Sequence, residues 1–270
     1  SCLKIRLTLI TPFRPRDPVF STTPVLGFRL EVSRIPGQFR WDRKTIEDGT
    51  EFDIFLAFAG DGLQIEDSGP DCLDMLFQSQ RIDWPLESGR KDFDYCTHPH
   101  RDRFVVTRGE KRGTCFVSSG VLADDVHAVI EGGWAAFEEA VLSVADSRCP
   151  FRYAGTYDGL DDVCDWIRAN PTALFENAAR VDSLIAANNC SSSVNHLLAY
   201  SLHSWLACSW WVLQDGRDLF TVWEGSCYFH STVDVEYTQA PFYLSVWPEL
   251  LGYELDMWPR FSRQGQDSLG

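Results

Sequence analysis

The chain reads as an α+β multidomain protein: an antiparallel β-sandwich over residues 1–150, then a helical region over residues 151–270. Three observations predict this. Short β-rich runs divided by Pro, Gly and Asp turns fill the first half. Apolar residues at helical spacing begin near Thr156. The one later return to strand-like sequence, around Asp218–Thr232, gathers acids and aromatic rings.

In chain order, KIRLTLI, VLGFRLEV, EFDIFLAFA, DMLFQSQRI, RFVVTR and GTCFVSSG are predicted strands, separated by PRDP, IPGQ, GDG, SGPD and THPHRD. Short strands between such turns pack most simply as two antiparallel sheets. From Val126 to Val144, Trp134, Phe137, Val141 and Val144 recur at helical spacing with Glu139 opposite, which predicts a short helix closing the sandwich. LDDVCDWIRAN places Leu160, Val163, Cys164 and Ile167 on one helix face, with Asp161 facing the N-terminal dipole and a stop at Asn170-Pro171. TALFENAARVDSLIAAN predicts a second helix. SVNHLLAYSLHSWLACSWWVLQ predicts a third, apolar almost all round and therefore buried between neighbours. QDGRD is a turn, DLFTVWEGSCYFHST a strand or hairpin, and APFYLSVWPELLGYELDMW a helix that Pro248 kinks or restarts.

With 270 residues the chain can form one large domain or two ordinary ones. Its 44% hydrophobic and 23% charged residues are those of a globular protein, and no apolar run reaches the ~18 residues of a membrane span. A net charge of −15 argues against nucleic acid and anionic membranes as partners, and is compatible with a neutral small-molecule or oligosaccharide substrate. Nine scattered cysteines look like reduced thiols rather than a disulfide framework, which favours a cytoplasmic location.

Chemistry concentrates between Asp218 and Pro259. Glu224, His230, Asp234 and Glu236 fall within thirteen positions, among Trp223, Tyr228, Phe229 and Tyr237. Carboxylates beside flat aromatic faces suit a pocket that grips a sugar ring and ionises its anomeric carbon. The competing reading is a partly buried hairpin with solvated acids on its outer face.

The run WEGSCYFHSTVDVEY followed by PFYLSVWPELLGYELD resembles the catalytic domain of glycoside hydrolase family 116, the bile-acid β-glucosidase group. It is more distantly similar to the family 52 β-xylosidases of the same clan. Glu224-Gly225, Ser231-Thr232-Val233-Asp234-Val235 and Trp247-Pro248-Glu249-Leu250 occupy the motif positions. The Glu224–Asp234 interval is one residue shorter than the family pattern, Ser231 replaces an Asn, and Ser226-Cys227 stand where a second Glu is common.

The resemblance implies retaining hydrolysis of β-glucosides or related β-glycosides, with Glu224 as the nucleophile and Asp234 as a ligand of sugar hydroxyls. His230, Glu236 and Trp223 are further candidates for substrate contact. It also implies that the helical region is the first part of an (α/α)6 barrel. Twelve helices of ~11–12 residues with loops of ~4–6 need roughly 200 residues. The chain is therefore expected to be a fragment whose acid/base lies further on. No cofactor is implied.

Each candidate has a structural alternative. Glu224 would otherwise be a hairpin-edge carboxylate and Asp234 a helix cap. Glu236 would face a helix dipole, and His230 would make a core hydrogen bond. Cys96, His98 and His100 form a turn-rich cluster without a distant fourth metal ligand, so no metal is expected. Trp205, Trp210 and Trp211 fit core packing better than a sugar platform, and Cys227 fits a packed thiol better than a nucleophile. Two further functional readings remain: a glutaminase-type amidase, which shares the sandwich-plus-barrel layout, and a non-catalytic carbohydrate-binding protein.

Overall fold

The computed structural model describes residues 2–35, 49–60, 62–82, 84–85, 95–121, 127–137, 142–144, 147–224 and 229–261. In its first part the strands are β1 (Cys2–Ile10), β2 (Val25–Ile35), β3 (Glu51–Leu56), β4 (Gln64–Gly69), β5 (Cys72–Ile82) and β6 (Trp84–Pro85). They continue with β7 (Tyr95–Arg108), β8 (Glu110–Arg112), β9 (Cys115–Val121), β10 (His127–Ala136), β11 (Leu142–Val144) and β12 (Ser147–Cys149). A short helix, α1 (Pro18–Thr22), joins β1 to β2 and is capped by Asp17, whose side chain accepts from the Phe20 N–H.

All six strands expected in the first half are present. With β4, β8 and β10 they form a six-stranded antiparallel sheet in the order β1-β2-β10-β7-β5-β4 and a three-stranded antiparallel sheet β3-β9-β8. The sheets face each other across Phe28, Leu73, Met75, Phe104 and Ile130 from the larger and Ile54 and Phe116 from the smaller. Side chains of a strand alternate between faces, so Val105 and Cys72, next to Phe104 and Leu73, point the other way. There they meet α2 (Leu160–Ala169) and the start of α3 (Ala173–Ala186) through Val163, Cys164, Ile167 and Leu174. The centre of the larger sheet is therefore covered on both faces, while Ile5, Leu7 and Leu9 of its edge strand β1 stay exposed.

That double cover explains one miss. The helix expected over residues 126–144 is strand β10 from His127 to Ala136, with Leu142–Val144 in β11. Residues 126 and 138–141 lie outside the described residues. A central strand buried on both faces loses its polar/apolar alternation, so its spacing carried no period-two signal. Gly132-Gly133 were the overlooked clue. A Cβ on Gly132 would sit 2.2 Å from the Val105 carbonyl oxygen, a closeness that only glycine permits. THPHRD, expected as a turn, likewise lies within β7.

The second part continues with α4 (Ser192–Cys208), β13 (Ser209–Gln214), β14 (Arg217–Val222), α5 (Val233–Val246) and α6 (Pro248–Phe261). Helices α2 and α3 match their expected spans, and Arg103 of β7 holds Asp161 at the start of α2 by an ion pair. The third expected helix stops at Cys208. SWWVLQ is instead β13, paired antiparallel with β14 from Ser209↔Val222 to Gln214↔Arg217. Asp215 and Gly216, both with positive φ, make the two-residue turn that such a hairpin requires. Nor is α4 buried all round: none of its residues is buried, and Leu197 and Tyr200 are 61% and 64% exposed.

Pro248 does open a separate helix, but α5 starts at Val233, seven residues before the expected APFYL. Asp234 and Glu236 thus stand on the first turn of a helix rather than on a hairpin. The hairpin β13–β14 is packed by Phe220 and Val222 against Tyr243, Trp247 and Leu250, and by Val212 and Leu219 against Met257.

Candidate active site

Glu224 follows β14 directly, just past the edge of the hairpin core. Its backbone N–H donates to the Phe229 carbonyl at 2.9 Å, and Trp223 bridges to His230, so the chain closes a loop between residues 223 and 230. Residues 225–228, which include Gly225, Cys227 and Tyr228, lie outside the described residues. After the loop, Ser231 adopts a left-handed φ of 45° and Thr232 caps α5. The Thr232 N–H donates to Glu224 Oε1 at 3.1 Å, and the Thr232 hydroxyl donates to the same oxygen. Two donors from one residue fix the orientation of this carboxylate.

Glu224 lies on the wall of a cavity of about 640 Å³ that Leu197, Leu198, Trp205, Trp223 and Phe242 also line. Among the described residues lining it, Glu224 is the one carboxylate. A pocket that is mostly apolar with a single fixed acid has the composition of a small-molecule site. Trp205 serves both readings offered for it: it borders this cavity and packs edge-on against Phe242 at 5.1 Å. Trp211 is a core residue, with its Nε1 donating to Asp218 and its ring edge-on to Trp247.

The other sequence candidates are placed differently. Asp234 is exposed on the first turn of α5, where the Thr232 side chain and the first helix N–H groups hold its carboxyl below the usual range. His230 lies edge-on to Trp210, and among the described residues neither ring nitrogen has a hydrogen-bond partner. Burial pushes its pKa down to about 4, so it is a neutral imidazole. Phe229 and Tyr237 are exposed and lie outside the cavity lining.

Glu236 is only 1% exposed and points inward beneath the site, where it meets Glu254 of α6, which is 0% exposed. The two carboxyls interact directly, and burial, the largest cause for each, raises both pKa values. The Ser231 hydroxyl donates to Glu254 Oε1 at 3.0 Å and the Tyr243 hydroxyl at 3.3 Å. Glu254 went unnoticed in the sequence although a signal was there: it sits on the face of α6 set by Leu250 and Met257, a carboxyl where a core residue belongs.

No group of three or more His, Cys, Asp or Glu suited to a metal occurs among the described residues. The side chains of Cys96 and His98 lie outside them, and His100 Nε2 is 3.5 Å from Asp102. Among the described residues no helix is long and apolar enough to cross a membrane. Cys72, Cys115, Cys149, Cys164, Cys190 and Cys208 are all free thiols.

The pattern of one known family matches the sequence: glycosyl hydrolase family 52, over residues 128–264. This is just over half of the chain and takes in the hairpin, the Glu224 loop and all of α6. Comparison with curated proteins gives no match.

Proposed function

Because the chain belongs to glycosyl hydrolase family 52, we propose that the cavity beside Glu224 receives the sugar of a β-glycoside and that Glu224 is the nucleophile of a retaining hydrolysis. One observation carries the proposal: a carboxylate fixed by two donors on the wall of an aromatic cavity. In this reaction the carboxylate attacks the anomeric carbon while a second carboxyl protonates the departing oxygen. Water, activated by that second group, then hydrolyses the glycosyl–enzyme ester and gives the product in its original configuration.

Trp223 supplies the flat face for the ring, and Asp234 a hydroxyl ligand at the site's outer edge. His230 and Glu236 support the loop from behind. The proton donor is a group other than the described residues lining the cavity, and the helices α2–α6 are in this reading the opening part of an (α/α)6 barrel. The family 116 features around Glu224 favour β-glucosides over β-xylosides, and the free thiols suit a reducing, cytoplasmic compartment.

Glu224→Gln in the full-length protein tests the assignment with aryl β-glucosides and β-xylosides. The expected outcome is a fall in kcat of at least about 10³-fold with sugar binding retained, since loss of a nucleophile removes the covalent route. Hydrolysis by the variant at the wild-type rate would rule Glu224 out. Sugar binding by a wild-type protein that hydrolyses neither substrate would favour the non-catalytic reading.

A further inference from the structure

Helix α6 reaches the Glu224 loop through two residues one turn apart, Glu254 and Trp258, which lie on the same face. The Glu254 carboxyl accepts the Ser231 hydroxyl, and the Trp258 Nε1 donates to the Ser231 carbonyl at 2.9 Å. From the opposite side, β14 holds the same serine. The Val222 N–H donates to Ser231 Oγ at 2.9 Å, the Ser231 N–H donates to the Val222 carbonyl at 2.8 Å, and Thr221 Oγ1 lies 3.1 Å from Ser231 Oγ. Ser231 is 2% exposed and keeps a left-handed backbone that costs a non-glycine residue about 1 kcal/mol. Such a conformation persists only where its surroundings determine it, and here they do so on both sides.

The residue after Ser231 is Thr232, whose N–H and hydroxyl hold Glu224. A displacement of Ser231 therefore moves both donors at once. We propose that Glu254 is a positioning residue of the site: through Ser231 it sets the Thr232 N–H and hydroxyl that orient Glu224, although it does not line the cavity. The catalytic consequence rests on the glycosidase reading, whereas the positional one does not.

The neighbouring Glu236 explains why a carboxyl can serve there. Burial of both carboxyls, with no cation paired to either among the described residues, raises both pKa values and favours a protonated pair. The pair is then less than fully charged. It can accept from Ser231 and Tyr243 without placing two negative charges behind Glu224, whose own charge acts on Glu236.

The test compares Glu254→Leu, Glu254→Gln and Ser231→Ala in the full-length protein. Glutamine preserves the shape and an acceptor for Ser231, while leucine removes the acceptor. Ser231→Ala breaks the same link without disturbing the α6 core, so it decides the matter should the leucine variant fail to fold. Two readouts are taken: hydrogen exchange at the Thr232 amide, with the β13–β14 amides as an internal control for folding, and kcat and KM on aryl β-glycosides.

For Glu254→Leu and Ser231→Ala, Thr232 protection should fall by about tenfold or more, with the hairpin still protected. The same two should lose about 10- to 100-fold in kcat with KM within about threefold, as for a misplaced reacting group. Glu254→Gln should stay within about threefold of wild type on both. Unchanged Thr232 protection in Ser231→Ala overturns the proposal, and so does a Glu254→Gln variant as impaired as Glu254→Leu. Absence of hydrolysis by wild type would count against the glycosidase reading and leave the amide result to decide this one.

Discussion

Between the two sheets, the Phe104 and Phe116 rings lie 5.3 Å apart among Leu73, Met75 and Ile130, and the buried Asp102 carboxyl beside this core accepts the Trp134 indole N–H at 2.7 Å. Beneath the cavity, Tyr243 and Leu250 are as thoroughly buried, yet they share their core with Glu236 and Glu254. Among the described residues, both ring nitrogens of His230 lie buried without a hydrogen bond in the stretch that begins at Glu224, and burial raises the carboxyl pKa values of Glu236 and Glu254 there. Burying an unpaired polar group costs about 1–3 kcal/mol. The sheet core thus maximises stability, and the hairpin–helix core gives some of it up to hold polar groups behind Glu224. Regions that concentrate such costs are where function is expected.

The strongest way to break this division is to damage the sheet core alone. Phe104→Ala removes a ring that touches Phe28, Phe58 and Phe116 and should cost about 3–5 kcal/mol in denaturant unfolding. Hydrolysis per folded molecule should remain within about twofold of wild type. A comparable loss of activity per folded molecule would show that the two cores are one functional unit.

His230 sharpens the comparison from the other side. Its pKa is near 4 in the folded protein because burial disfavours the imidazolium, against about 6.5 in an unfolded chain. Above pH 6.5 both states are neutral and the group contributes no pH dependence. As pH falls from 6.5 toward 4 the unfolded state takes up the proton first, and folding loses up to about 3 kcal/mol. His230→Phe should flatten that part of the stability–pH curve relative to wild type. Equal slopes for the two proteins would mean that the imidazole is solvated and that the loop is not part of a dry core.

How far the sequence revealed each region follows the same physics. The strands of the first half were legible as short β-rich runs divided by Pro, Gly and Asp turns. β10 was misread because sheet and helices cover both its faces and erase the alternation. Glu224 was found through its motif and its aromatic neighbours. Thr232 and Ser231 were seen only as motif letters, and Glu254 not at all, because their roles depend on α6 folding back across the hairpin, a contact between residues 23 apart for Ser231 and Glu254. The exposed apolar face of α4 also escaped notice, since hydropathy cannot distinguish a helix covered by neighbours from one that borders a cavity.

Glu236 offers the finest test, because its effect has the opposite sign to that of the usual core substitution. Burial, the largest cause, raises its carboxyl pKa in the folded state, and the charge of Glu224 adds to this. An unfolded chain releases that proton at about pH 4.3. The stability tied to the neutral carboxyl is therefore fully present below that pH and is lost as pH climbs through the folded value. Glutamine has nearly the same shape and cannot ionise. Glu236→Gln and wild type should then unfold alike near pH 4, and at pH 8 the variant should be the more stable by about 1–2 kcal/mol. A variant less stable than wild type at pH 8 would mean that the carboxyl pair is fully satisfied where it lies. The hairpin–helix core would then be built on the same terms as the core between the sheets, and the cost attributed to the polar groups behind Glu224 would not exist.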